Sequence, residues 1–397
     1  MVTSLAVSFF LLCSAFFWRV GGIASGYMGG FSSLPRDIHG IVFARPSHTV
    51  RRLMSMTRGD VSTESEETGE KGLRLAHLSS GVDVSYRYKK AAGNHTNPPL
   101  VFVHGSFHGS WCWYEHWMDF FAEKEYDSYA IDLRGTSGSP SPSGASKVTV
   151  SEHVSDLRAF LHEVVEDTAQ TEGAKNKSRS PGPVLLGHSF GGLYVMKVLE
   201  SMEDVSSLSG VGMMCSVPPS GNGPVTLRYL FRTPILAWNI FRGFVFKTAL
   251  SEKDNARSLF FDDDLPDPSL EKFMGRFKKD GQTTLDVRDL SGRLPSKESE
   301  VDKEGNRVAK FLRLSNGAAS LPRLVIGAGS DAIVDEQGVR ETAEFLKVSP
   351  VILPSMYHDI MLGSRWKEAA ELVSSWLNAK VKPHVDMKLK IAAMNSA

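Results

Sequence analysis

Short, uninterrupted apolar runs alternate with segments of helical spacing along most of this chain, and that alternation restricts the possible folds more than any other feature. PLVFVHG at 99–105, PVLLG at 183–187, SGVGMMCSV at 209–217, LPRLVIGA at 321–328 and SPVILP at 349–354 are such runs. A strand with one wet face alternates apolar and polar residues, whereas an unbroken run is buried on both faces, as inside a parallel sheet. Helical spacing occupies 114–124, 149–165, a stretch from 190, 336–347 and 364–379; within 149–165, Val150, Val154, Leu157, Leu161 and Val164 share one face. LRLAHL at 73–78 and VDVSYRYK at 82–89 read as an antiparallel pair turned at Ser80-Gly81, and YDSYAID at 126–132 reads as a further strand. The expectation is an α/β fold with a mostly parallel, doubly wound sheet.

Two stretches break the alternation. DTAQTEGAKNKSRSPG at 167–182 is polar and reads as a surface insertion. The longer one, 219–320, begins with aromatics: Phe231, Trp238, Phe241, Phe244 and Phe246 are too many for one exposed helix to leave in water. Ligands in such sheets bind above the strand C-termini, so this insertion reads as a helical lid lining an apolar pocket, with a charged loop at 292–310. The core is then 73–218 and 321–380, with 381–397 a tail.

The N-terminus is different in kind. LAVSFFLLCSAFFW at 5–18 is apolar but shorter than the ~20 residues that span a bilayer, and matches the core of a signal peptide. Arg19, Arg36, Arg45, Arg51, Arg52 and Arg58 follow with Asp37 as the only acid before Gly59, a transit-peptide composition. Residues 1–60 are expected to be a targeting presequence, resembling the bipartite leaders of secondary plastids, with secretion or an endomembrane destination as the alternative. Residues 61–72 are polar and read as a linker, so no stable membrane span is expected in the mature chain.

Charge narrows the partners. Lys plus Arg equals Asp plus Glu at 45 each, so no long-range field points to nucleic acid or another polyanion. Three cysteines, Cys13 among them in the presequence, give no disulfide framework, and no Cys or His spacing reads as a metal site.

LLGHSFGGLY at 185–194 places Ser189 between glycines where an apolar strand meets a helix. That context makes Gly-x-Ser-x-Gly a nucleophile elbow: the turn is tight, so Gly187 and Gly191 cannot carry side chains, and the Phe190 N-H at the helix start aims at the reacting oxygen. An elbow needs an acid and then a histidine downstream. Only His358 and His384 follow Ser189; His384 falls in the tail, so His358 in PSMYHDIML is the expected base. VIGAGSDAIVD offers Asp331, nearest the strand end, with Asp335 as competitor. The second oxyanion N-H is expected from Ser106, with Phe107 next, in VHGSFHGSWCW. His104 and His108 precede the serine and read as loop-bonding residues. Phe107, Trp111 and Trp238 are expected pocket walls.

Together these motifs resemble the α/β-hydrolase superfamily over nearly all of 73–380, and HGSFHGSWCWY looks like the corresponding loop of plant methylesterases and hydroxynitrile lyases. The resemblance implies a cofactor-free serine hydrolase (esterase or lipase-like) acting on a small apolar ester through an acyl-enzyme. Thioesterase, acyltransferase and haloperoxidase-like activities use the same three residues, and some proteins of this fold are small-molecule receptors. Gly105 stands where the lyases have threonine and the histidine loop differs from that of plant methylesterases, so neither of those activities transfers.

Overall fold

The computed structural model describes residues 72–93, 95–141, 147–166, 181–297 and 299–395. The presequence, the linker up to residue 71 and most of the 167–182 insertion lie outside the described residues.

Eight strands form one sheet: β1 (Leu73–His77), β2 (Asp83–Lys89), β3 (Leu100–Val103), β4 (Ser128–Ile131), β5 (Val184–His188), β6 (Gly210–Met214), β7 (Arg323–Ala328) and β8 (Val351–Leu353). Their spatial order is β1-β2-β4-β3-β5-β6-β7-β8. β2 pairs antiparallel with β1 and β4, and every other pairing is parallel. Four of the five unbroken apolar runs are interior strands, with every residue of β3, β5 and β6 buried. SPVILP is β8 at the sheet edge and only half-buried, because an edge strand has a neighbour on one side only. Parallel strands need crossovers on the sheet faces, which is why both faces of the interior strands lose contact with water.

The crossovers and caps are α1 (Trp117–Glu123), α2 (Val150–Phe160), α3 (Phe190–Glu200), α4 (Asn222–Arg232), α5 (Pro234–Val245), α6 (Lys253–Phe260), α7 (Asp267–Asp280), α8 (Glu336–Phe345), α9 (Trp366–Trp376) and α10 (Lys382–Asn395). α2 opens with a capping box: Thr149 accepts from the Glu152 N-H, and the Glu152 carboxylate accepts from the Thr149 N-H. Beneath α1, Phe102 stacks on Trp113 at 4.8 Å and meets Trp117 edge-on at 6.0 Å. Such ring pairs contribute ~0.5–1.5 kcal/mol each beyond area burial.

The winding of the chain reverses between β3 and β5, because β4 lies to one side of β3 and β5 to the other. In open α/β sheets a crevice forms above the strand ends at that point. The loops after β3, β5, β6, β7 and β8 all leave from this edge, and they carry the residues singled out above.

Two expectations are corrected. The aromatics of the insertion are divided rather than hidden: Phe244 is half-buried, but Phe231 is 73% and Phe246 62% exposed. A helical hairpin such as α4–α5 has only one side to turn inward, and these two rings lie on the other. The segment from 381 is no tail, since α9 continues through a π turn (Leu377–Val381) into α10. Pro383 follows directly on that π turn, where the regular i→i−4 ladder is already interrupted, so the helix passes through the proline. His384 is buried in α10, and Lys388 donates to the carbonyls of Ser206 and Leu208. Among the described residues no helix is long and apolar enough to cross a membrane.

Candidate active site

Ser189 lies between β5 and α3 with φ 54° and ψ −124°, a left-handed-side backbone that costs a non-glycine residue of order 1–3 kcal/mol. The surroundings hold it there. Its N-H donates to Met214 O at 3.1 Å, and its carbonyl accepts from Val217 and Gly192 at 3.1 Å each. The strand-to-helix turn is as tight as the motif requires, because a Cβ on Gly191 would stand 2.3 Å from Val103 O. Gly105, in the loop after β3, lies directly against the serine: a Cβ there would be 2.6 Å from Ser189 Cβ.

His358 follows β8 and Asp331 follows β7, and the structure brings them together in a site that water barely reaches. His358 Nδ1 donates to Asp331 Oδ2 at 2.8 Å, while Asp331 Oδ1 accepts from the N-H groups of Ile333 (2.7 Å) and Val334 (2.9 Å). With Nδ1 carrying the proton, Nε2 is the nitrogen with a lone pair to offer. His188, the residue just before Ser189, donates from Nε2 to His358 O at 2.9 Å, and the two rings lie 4.7 Å apart. Burial acts to lower the His358 pKa, but the charge and hydrogen bond of Asp331 and then the charge of Asp359 outweigh it, leaving the value above 6.5. Asp335 is engaged elsewhere, capping α8 through Gly338 N-H and pairing bidentately with Arg228 of α4.

The loop after β3 runs past the serine with Phe107 at φ 67°. His104 donates from Nδ1 to Gly105 O at 2.8 Å and accepts the Leu133 N-H on Nε2 at 3.0 Å, which makes it a neutral loop brace. Burial pushes its pKa down to about 3. The Ser106 and Phe190 N-H groups donate to no protein acceptor among the described residues, and Phe190 occupies the first position of α3, where amides point out of the helix. Of the expected pocket walls, Phe107 stacks on Phe244 of α5 at 5.0 Å. Phe260 of α6, which the sequence reading did not single out, lies 6.1 Å from His358. Trp238 stacks on Phe241 within α5. Trp111 is instead an anchor between core and insertion: its indole N-H donates to Asp280 of α7 at 2.7 Å, and its ring stacks on Phe273 and His108.

Three residues in this region escaped the sequence reading. Asp280 also accepts from Ser137 N-H, so the end of α7 is tied to the 132–139 loop. His188 braces the His358 carbonyl as described above. Asp359, the residue after His358, bonds His108. As for metal ligation, donor atoms of His188, His358 and Asp359 lie within 4.8 Å of one another, as do those of Cys215, Asp331 and His358. His358 Nδ1 and His188 Nε2 are already committed to the hydrogen bonds above.

Comparison with known proteins gives consistent relatives. A family model described as the alpha/beta hydrolase family matches residues 100–372. Methylesterase 10 of Arabidopsis thaliana is 30% identical over 140 residues, which is 34% of this chain and 44% of that protein, so the chain spans less than half the length of this relative. Among solved structures, an aryl esterase described as putative from Burkholderia cenocepacia superposes with TM-score 0.51 at 17% identity, covering 78% of this chain and 99% of that one. An esterase from Exiguobacterium antarcticum superposes with TM-score 0.50 at 13% identity, covering 77% and 99%. At such identities the structural likeness speaks to the fold alone.

Proposed function

The chain belongs to the alpha/beta hydrolase family, and from that premise we propose that it hydrolyses carboxylic esters through Ser189, His358 and Asp331. The observation that carries this reading is the buried His358–Asp331 hydrogen bond of 2.8 Å, with His358 braced by the residue preceding a serine held at φ 54°. In this reading Ser189 Oγ attacks the ester carbonyl while His358 Nε2 takes its proton. Asp331 keeps the imidazole in the tautomer that can do so. The N-H groups of Ser106 and Phe190 receive the oxyanion. Collapse of the tetrahedral intermediate breaks the bond to the alkoxide, which leaves with the proton from His358 and gives acyl-Ser189. Water then attacks the acyl carbon as His358 takes its proton, and collapse of the second tetrahedral intermediate returns that proton to Ser189 Oγ and releases the carboxylic acid. Every proton and electron pair in the sequence comes from protein, ester or water.

The rings of Phe107, Phe244 and Phe260 around the site support an apolar acyl or alcohol group. A series of p-nitrophenyl esters tests this. Each buried methylene contributes ~0.8 kcal/mol, so kcat/KM should rise roughly tenfold from acetyl to butyryl. A flat or falling series would remove the apolar substrate from the account. Matched thioesters run alongside separate ester from thioester preference, the nearest alternative on the same residues.

A further inference from the structure

His108 and Asp359 are 251 residues apart in sequence, and both are almost wholly buried. His108 Nε2 lies 2.9 Å from Asp359 Oδ2, and Nδ1 lies 2.7 Å from Ser106 O. A carbonyl oxygen only accepts, so Nδ1 carries a hydrogen. The contact with the carboxylate then also needs a hydrogen, on either His108 or Asp359. The pair is complete only with a proton held between its two members.

What that proton joins is the point. His108 belongs to the loop after β3, which carries the expected oxyanion donor Ser106 and, next to it, the alternative donor Phe107. In a trans peptide C=O and N-H point in opposite directions. Holding Ser106 O toward His108 therefore fixes the direction of the Phe107 N-H, just as His104 on Gly105 O fixes that of the Ser106 N-H. Asp359 belongs to the loop after β8 and is the residue next to His358. Its N-H donates to Phe260 O at 3.1 Å, and its carbonyl accepts from Leu362 (3.0 Å) and Gly363 (2.9 Å), so it has little freedom to follow a displaced partner. Trp111 stacked at 5.7 Å and Phe277 edge-on at 4.7 Å enclose the His108 ring.

We propose that His108 and Asp359 are positioning residues for ester hydrolysis: one buried proton shared between them locks the oxyanion loop to the histidine loop, so that the N-H donors and the His358 ring keep a fixed mutual geometry. This rests on the ester-hydrolase reading above. The pair touches neither ester nor nucleophile; it acts through the Ser106 carbonyl and through the backbone at His358. Its loss should therefore lower the rate of the chemical step and leave ground-state binding nearly as it was.

The test is steady-state kinetics on the best p-nitrophenyl ester. Asp359→Ala should reduce kcat about 10²-fold with KM within about threefold, the size of effect seen when an oxyanion donor is lost or misplaced. Asp359→Asn can donate from its amide to His108 Nε2 while Nδ1-H stays on Ser106 O, so it should return at least tenfold of that loss. His108→Ala combined with Asp359→Ala should cost no more than the worse single change, because the two act as one unit. Unchanged kcat in Asp359→Ala, a change confined to KM, or additive losses would each overturn the proposal. If the alanine variants do not fold, Asp359→Asn decides alone: kcat within about tenfold of wild type supports the shared hydrogen bond, and a 10²-fold or greater loss overturns it. A wild-type protein that hydrolyses no ester would instead overturn the ester-hydrolase reading, and with it the reaction this pair is proposed to serve.

Discussion

Ser189→Ala should lower ester turnover by about 10⁴-fold or more, with the chain still folded. Alanine keeps the Cβ that already lies against Gly105 and inherits the same φ of 54°, so only Oγ is removed from the turn. Without that oxygen there is no acyl-enzyme. What remains is whatever the oxyanion donors give to direct attack by water, typically a small residue of the full rate enhancement. Initial rates over several hours with purified wild type and variant measure the drop. Equal rates would take Ser189 out of the chemistry, however well its elbow is built.

The second large effect belongs to Asp331. Asp331→Asn is close to isosteric, yet it should lower kcat roughly 10⁴-fold, because an amide does not hold the imidazole in the Nδ1-H tautomer that leaves Nε2 free. The N-H groups of Ile333 and Val334 reinforce this: they occupy Oδ1, so in the variant the amide nitrogen is directed toward His358 and donates where an acceptor is needed. A pH profile adds a signed check. Only neutral imidazole accepts the serine proton, and the His358 pKa is raised, so in wild type kcat/KM should fall on acidification through a midpoint above 6.5. Removing the Asp331 charge removes the largest of the influences that raise it, so the residual activity of the variant should keep its acid limb to lower pH. A limb that stays in place would mean that another group sets it.

What the sequence made legible follows from how local each signal is. The sheet was readable because burial on both faces leaves unbroken apolar runs, and those runs became β3, β5, β6 and β7. Ser189 was readable because a serine on a tight strand-to-helix turn needs glycines in fixed places. Asp331 and His358 needed only chain order and nearness to a strand end. The buried polar ties were not readable: His108 to Asp359 and Trp111 to Asp280 join residues 251 and 169 positions apart, and nothing near either residue announces its partner. Helix α7 was missed in a stretch dominated by charge, although Leu270, Phe273 and Phe277 give it one buried stripe. Residues 381–397 read as a tail because KVKPHVDMKLK has little apolar periodicity and holds a proline, yet the helix continues through them by way of the π turn. Phe231 and Phe246 were expected out of water because aromatic content says how much apolar surface exists and not which side of a hairpin carries it.

Ester hydrolysis at this site requires Ser189 to be an activated nucleophile, and intact-mass spectrometry after treatment with a fluorophosphonate probe asks that directly. The wild-type protein should gain one adduct, mapped by peptide analysis to the segment containing Ser189, and Ser189→Ala and His358→Ala should gain none on the same timescale. A wild-type protein that stays unlabelled, or an adduct that persists in Ser189→Ala, would contradict the central claim and leave a hydrolase fold whose chemistry, or ligand binding, lies elsewhere.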